Sequence, residues 1–514
     1  MPSHTRPYDL TKLRARVSHL AAGTAAAVLL VPVAAVAGTT GAGAEGIGDP
    51  YFPDYGNGGY DVSHYDVEVE VAGDTVSGTT TITATATERL TQFNLDFVLD
   101  TTAVVVNGEV ADFTKPSTHE LVVTPSEAIP NGDTMTVEVT YSDEPGSVFD
   151  RGNNPVYTTG TNGLLILGEP ESAPWWIPGN DHPRDKATYD VAITVADGVE
   201  ALTIGRLVGV EDGAKDTWTW AVNQPTTGYL LFLAAGQYDV TESTIAGEPA
   251  VTAIGDGAGV AGEAAAEDFE RMDEVVDFLE SEFGDYRFDV LGNVVPNTSL
   301  GFALETQTRP VYSTAFWSGG FSNMDVVVHE WAHQWVGDNV SVHSWRDIWM
   351  NEGFASWAPW KWEQEEGGDT LDEIFLAYYN SHPSSDPFWN LHIGDPGPNS
   401  LFAGEVYDRG AMTVQALRNR ISKSDHKTLL KKWQNKHEYD DAGTKKFIKL
   451  AEKVSGEDLT TFFDAWLYSS DKPPATDEYG VPPGPVDIAD VESFDRLKAA
   501  TEMLVEAEAA AHGR

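Results

Sequence analysis

His329-Glu330-Trp331-Ala332-His333 places two imidazoles four residues apart, and Glu352 follows His333 after eighteen intervening residues. On a helix, residues four apart share a face, so His329 and His333 can grip one ion. Eighteen residues are enough for a turn and the start of a second helix that returns the Glu352 carboxylate to the same point. Two imidazoles, one carboxylate and an open fourth position make a catalytic zinc site, whereas a structural site would close its fourth position. One Zn²⁺ per chain is the expected cofactor, although the spacing leaves Co²⁺ and Mn²⁺ open. Glu330 adjoins the first ligand and can act as general base on a metal-activated water. The competing reading is a buried helix whose histidines only pack or hydrogen-bond. Glu352 at ligand spacing weighs against it.

The elements that must position these groups can be read from periodicity. Asp325 favours the first turn of a helix, Val326, Val327 and Val328 bury it, and Gly337 is expected to stop it. Upstream the period is two. Tyr65, Val67, Val69 and Val71 alternate with polar residues, as do Ile82, Ala84 and Ala86, then Phe93, Leu95, Phe97 and Leu99, then Met135, Val137, Val139 and Tyr141. Turn signals such as Asn131-Gly132 separate them, and further strands are expected at 187–196, 201–210 and 216–222. From Phe269 through Met272, Val275, Val276, Leu279 and Phe283 the period becomes helical, and it stays mainly helical to about residue 470, with a short strand region near 287–313.

The fold class is therefore α+β and multidomain, an antiparallel β domain over 49–240 followed by a mainly helical domain over 241–473. Residues 474–514 are expected as a Pro- and Gly-rich linker and one C-terminal helix. Residues 1–37 look like a signal peptide: Arg6, Lys12, Arg14 and Arg16 precede an apolar run from Leu20 to Ala37 that ends in Ala35-Val36-Ala37. Ala42-Gly43-Ala44 is a second candidate cleavage site, and 38–48 reads as a flexible leader. The expected location is extracellular, with no membrane association once the signal is removed.

The 514 residues carry a formal charge of −48 and no cysteine. Such a charge repels nucleic acid and anionic membranes, so neither is an expected partner. Without cysteine, disulfides, thiolate metal sites and thiol nucleophiles are excluded. The lysines of 423–453 read as solvated helix faces, and His343 as a structural or exposed residue.

Beyond the bare metal motif, His329-Glu-Trp-Ala-His-Gln-Trp335 and Trp345-Arg-Asp-Ile-Trp-Met-Asn-Glu-Gly-Phe-Ala355 resemble the M1 family of zinc aminopeptidases, gluzincin relatives of thermolysin. Asp49-Pro-Tyr-Phe-Pro53, the segment from Glu169 to Lys186, Gln224-Pro-Thr-Thr-Gly-Tyr229, Val406-Tyr407-Asp-Arg-Gly-Ala411 and Asp458–Trp466 extend the likeness over roughly residues 49–473. The resemblance implies a saddle-like N-terminal β domain and a thermolysin-like catalytic domain in a short, two-domain member. It implies peptide substrates with a free N-terminus; a monomer is expected separately. It also assigns Tyr407 to transition-state stabilisation, and Glu305 and Glu169 to the substrate's α-amine.

The family's G-A-M-E-N signature is altered. In register the chain reads Phe302-Ala303-Leu304-Glu305-Thr306, with Gly301 one step early and Glu305 24 residues before His329. Gly301 and Ala303 are the expected substrate-binding backbone of that segment. The alteration keeps a zinc endopeptidase in play, and a catalytically silent binding module is the rival from another class.

Overall fold

The computed structural model describes residues 41–159, 163–484 and 486–511. The expected signal peptide and the first residues of the leader lie outside them.

Alternation at period two builds the N-terminal region. Tyr60–Ala72 and Thr75–Ala86 form a long hairpin in an eight-stranded sheet with spatial order 206–211, 215–226, 187–196, 60–72, 75–86, 134–143, 101–106 and 109–110. Tyr65, Val67, Val69, Ile82 and Ala84 point into the core while their neighbours face outward. The expected antiparallel pattern holds across this sheet with one exception. Tyr60–Ala72 and Ala187–Ala196 run parallel, with Tyr65 opposite Tyr189. Alternation sets the face of a strand but not its direction relative to a distant partner. The stretch expected as one strand over 201–210 divides into Glu200–Leu202 and Arg206–Glu211, which join different sheets.

A five-stranded sheet follows, with order 238–245, 248–255, 291–295, 311–312 and 303–304. Every residue of Leu291–Val295 is buried, as expected of a strand covered on both faces. Val251, Ala253, Val294 and Val311 turn toward the β-domain core, and Ala250, Val295, Ala303 and Tyr312 toward the helices. The sheet thus belongs to both cores.

Ten α-helices complete the described chain: α1 (Gly259–Phe269), α2 (Met272–Phe283), α3 (Met324–His333), α4 (Trp349–Glu365), α5 (Leu371–Ser381), α6 (Gly404–Ile421), α7 (Lys423–Lys436), α8 (Thr444–Ser455), α9 (Thr460–Leu467) and α10 (Phe494–Ala511). The helical run beginning near Phe269 is two helices, broken at Glu270 and Arg271. Helix α4 is buried from Trp349 to Trp362, which marks a core helix. Helix α10 returns to that core through buried Leu497 and Leu504, and Arg496 pairs with Asp325 and Glu363. Among the described residues, no helix is long and apolar enough to cross a membrane.

Candidate metal centre and active site

Helix α3 starts where the Asn323 side chain accepts from Val326 N and Asp325 occupies the first turn, satisfying an orphan N–H and the helix dipole. It ends at His333, four residues before the expected stop. Gly337 turns the chain instead, with a φ of +136° that favours glycine, beside the His333 ring and the Asn351 amide.

The structure brings His329, His333 and Glu352 together at the facing surfaces of α3 and α4. His329 Nε2 and His333 Nε2 are 3.2 Å apart, and each lies 3.5 Å from Glu352 Oε2. A tetrahedral ion with bonds of about 2.0–2.1 Å separates its ligand atoms by about 3.3 Å. The donor set, its spacing and its burial all fit zinc. His333 Nδ1 lies 3.1 Å from the carbonyl of Val336, which fixes the tautomer that leaves Nε2 for the metal.

The electrostatics point the same way. Burial pulls His329 down to about 4. Burial would raise Glu352, but the His333 and His329 imidazoles outweigh it and hold the carboxyl at about 2. His333 is driven well above its usual range by Glu352 and Glu305 despite burial. This pocket of carboxylates calls for positive charge at the point where the three ligands meet. Glu330 is pushed well up by burial, with Glu305 and Glu352 adding to it, which suits a carboxylate that must accept a proton.

Tyr407, on α6, is buried and lies over the His329 ring, with centroids 6.0 Å apart and planes 17° from parallel. Glu305 ends the edge strand Ala303–Leu304, in which Ala303 pairs with Tyr312. Gly301 N donates to Ser313 Oγ at 3.1 Å. The Glu305 carboxyl is raised by burial and by Glu352, and its Oε1 has no hydrogen-bond partner among the described residues. Glu169 is likewise buried. His343 is half exposed and pairs with Asp441, away from the ligands.

Two neighbours of the site lie within the quoted stretches, where the sequence assigns them no role. Gln334 donates from Nε2 to Glu305 O at 2.9 Å and accepts from Thr308 N at 2.6 Å, so the residue after the second histidine ties the edge strand to α3. The Tyr229 hydroxyl is pushed well up by burial, with Glu305 and Glu169 adding their charge. It therefore feels the charge of both carboxylates that the resemblance assigns to the amine. Its place at the end of Gln224-Pro-Thr-Thr-Gly-Tyr229 is the one signal in the sequence that could have found it. The second motif also braces the site. Asp347 accepts from Thr444 N and Oγ1, and Trp345 N donates to Asp49 at 3.0 Å.

The chain is similar to known peptidases. The profile of the Peptidase family M1 domain matches residues 314–466. Glutamyl aminopeptidase of Bos taurus is 27% identical over 323 residues, covering 58% of this chain and 33% of that protein. Probable aminopeptidase 2 of Sulfurisphaera tokodaii is 23% identical over 348 residues, covering 63% and 44%. The chain therefore spans between a third and a half of the length of these curated relatives. Among solved structures, a two-domain M1 zinc metallopeptidase bound to L-arginine superposes with a TM-score of 0.75 at 24% identity, over 84% of this chain and 99% of that one. An M1 zinc metallopeptidase from Deinococcus radiodurans gives 0.73 at 25% identity, over 84% and 99%. The β domain followed by a helical zinc-peptidase domain is the architecture these structures share with it.

Proposed function

We propose that this chain, whose residues 314–466 match the Peptidase family M1 domain, is an M1-type zinc aminopeptidase that hydrolyses the first peptide bond of substrates with a free N-terminus. The observation that carries the reading is the buried carboxylate of Glu305, with an unpartnered oxygen, beside a three-ligand centre whose donors lie 3.2–3.5 Å apart.

His329, His333 and Glu352 would hold a zinc ion, which would supply Lewis-acid polarisation of the scissile carbonyl and make water more acidic beside Glu330. Glu330 takes a proton from the attacking water and passes it to the leaving amine. The Tyr407 phenol donates to the oxyanion as charge develops there, an effect often worth ~3 kcal/mol. Glu305 and Glu169 receive the α-ammonium through charge-assisted hydrogen bonds. Fixing the N-terminus there, with the substrate backbone along Gly301 and Ala303, sets the first peptide bond over the metal. The basic and apolar start of the sequence supports export, and mass spectrometry of the N-terminus from culture supernatant tests it.

The function is tested with fluorogenic aminoacyl-amides and their N-acetylated twins, with and without a zinc chelator. Chelator-sensitive cleavage of the free-amine set alone is expected. Cleavage of the acetylated set would instead make the protein an endopeptidase, the reading motivated by the altered Phe302–Thr306 segment. Stoichiometric zinc with no hydrolysis of either set would leave a binding module.

A further inference from the structure

A second group of buried ionisable side chains lies in the β domain. Strands Leu90–Asp96 and Glu120–Thr124 run antiparallel, and Asp96 stands directly opposite Glu120. Like charges in that position repel, and here solvent screens them little, because Asp96 is fully buried and Glu120 is 2% exposed. His119 is also 2% exposed and holds Nε2 3.1 Å from Asp96 Oδ1. One ligand atom from each of Asp96, His119 and Glu120 lies within 4.8 Å of the others.

Three features point to a missing partner. Neither Glu120 oxygen has a hydrogen-bond partner among the described residues, and Asp96 Oδ1 faces only the His119 ring. Asp96 Oδ2 accepts from Gly56 N at 3.1 Å and Asp181 N at 2.6 Å, which fixes the carboxylate with Oδ1 turned to His119. On the far side of the ring, His119 Nδ1 lies 3.3 Å from Asp150 Oδ2 and 3.6 Å from Glu171 Oε2. An imidazole backed by carboxylates on one nitrogen, with the Asp96 carboxylate on the other and a Glu120 oxygen within 4.8 Å of the group, is how proteins orient a metal-binding histidine.

We propose that Asp96, His119 and Glu120 form a second divalent-metal site, distinct from the His329–His333–Glu352 centre, that takes a transition-metal cation such as Zn²⁺ or Mn²⁺. An imidazole donor disfavours Ca²⁺ and Mg²⁺, which prefer oxygen ligands. The 3.1 Å between His119 Nε2 and Asp96 Oδ1 is close to the 3.2 Å between the two imidazole nitrogens of the first centre. The competing occupant is the proton. Burial and Asp96 push Glu120 up to about 8, and Glu171, Asp150 and Asp96 drive His119 well up against burial. The site is structural: it joins two strands and, through Asp181 and Glu171, braces the segment that carries Glu169.

The test is metal content of the full chain by mass spectrometry after loading with ZnCl₂ or MnCl₂ and desalting. The double variant His329→Ala/His333→Ala is expected to retain about one equivalent, with a melting temperature that chelation lowers. Adding the near-isosteric Glu120→Gln is expected to abolish both the retained metal and the chelator shift. No metal in the double variant would overturn the proposal and leave the cluster closed by protons. Metal retained after Glu120→Gln would also overturn it, by placing the ion elsewhere. Should the Glu120→Gln chain fail to fold, the metal count of the double variant decides.

Discussion

Gly353 and Gly410 pass each other with no room for a side chain on either. A β-carbon on Gly353 would lie 2.8 Å from the Gly410 backbone, and one on Gly410 would lie 2.6 Å from Gly353 Cα. The contact fixes how α4 crosses α6. Glu352 precedes Gly353, and Tyr407 sits one helical turn before Gly410, so a metal ligand and the phenol above His329 are set against each other by two missing side chains. Gly410→Ala is expected to force the helices apart, costing about 1–3 kcal/mol of stability and lowering kcat because Tyr407 moves with α6. Thermal melts and steady-state kinetics check it. An unchanged kcat would free Tyr407 from this packing.

The mechanism separates two residues by kinetics. Glu330→Gln should keep its metal and lose turnover, since the amide cannot take a proton. Tyr407→Phe should lower kcat by about 10²-fold or more, as expected for one oxyanion donor, with a modest change in KM. A Tyr407→Phe variant that altered only KM would make the tyrosine a binding residue.

Much of this site was legible because its determinants are local. The two histidines share one face of one helix, and eighteen residues suffice for Glu352 to return. The pleat positions of Tyr65, Val67 and Ile82 were equally readable from alternation. Other features depend on approaches between distant segments. Nothing near Tyr60–Ala72 announces its parallel pairing with Ala187–Ala196. Gly410 shows its purpose only once Gly353 is opposite, and Tyr229 only once Glu305 and Glu169 flank it. Gly337 reads as a helix stop because sequence position alone cannot show the His333 ring against it.

Glu305 should decide the exopeptidase character. Glu305→Ala is expected to weaken free-amine substrates strongly and to narrow the gap between them and their N-acetylated twins, because the charge-assisted contact to the α-ammonium is lost. The ratio of kcat/KM for each twin pair measures it. A variant that kept the full preference would move amine recognition to other residues.

Arg309 ties the five-stranded sheet to the strands and loops of the β domain. Its guanidinium is fully buried and lies over the Trp220 ring at 4.7 Å. It donates to Val251 O at 3.1 Å, to Gly205 O at 2.9 Å and to Thr203 O. Burial pulls it down to about 9, yet these carbonyls hold it in place. Arg309→Met strips three buried acceptors at once and is expected to cost about 3–5 kcal/mol. Urea unfolding reads the loss, and a midpoint within error of wild type would mean water replaces the guanidinium at no cost.

Stability toward acid should depend on His426. This α7 residue packs against Trp357 with ring centroids 5.5 Å apart, and burial, helped by Arg418, holds its imidazole down at about 3. In the unfolded chain the imidazole titrates near ~6.5. Between those values the unfolded state binds a proton that the folded state refuses, so stability falls as pH drops from the upper value toward the lower, by at most about 1.4 kcal/mol per pH unit from this residue. Above the upper value it contributes no slope. Carboxylates titrate over part of the same range, so the informative quantity is the difference between wild type and His426→Met. Urea midpoints measured from pH 7 down to about 4.5 should fall more steeply for the wild type, because the methionine removes this proton uptake and leaves the others. Parallel slopes would mean that His426 takes up its proton in the folded protein, and that the Trp357 face accommodates an imidazolium.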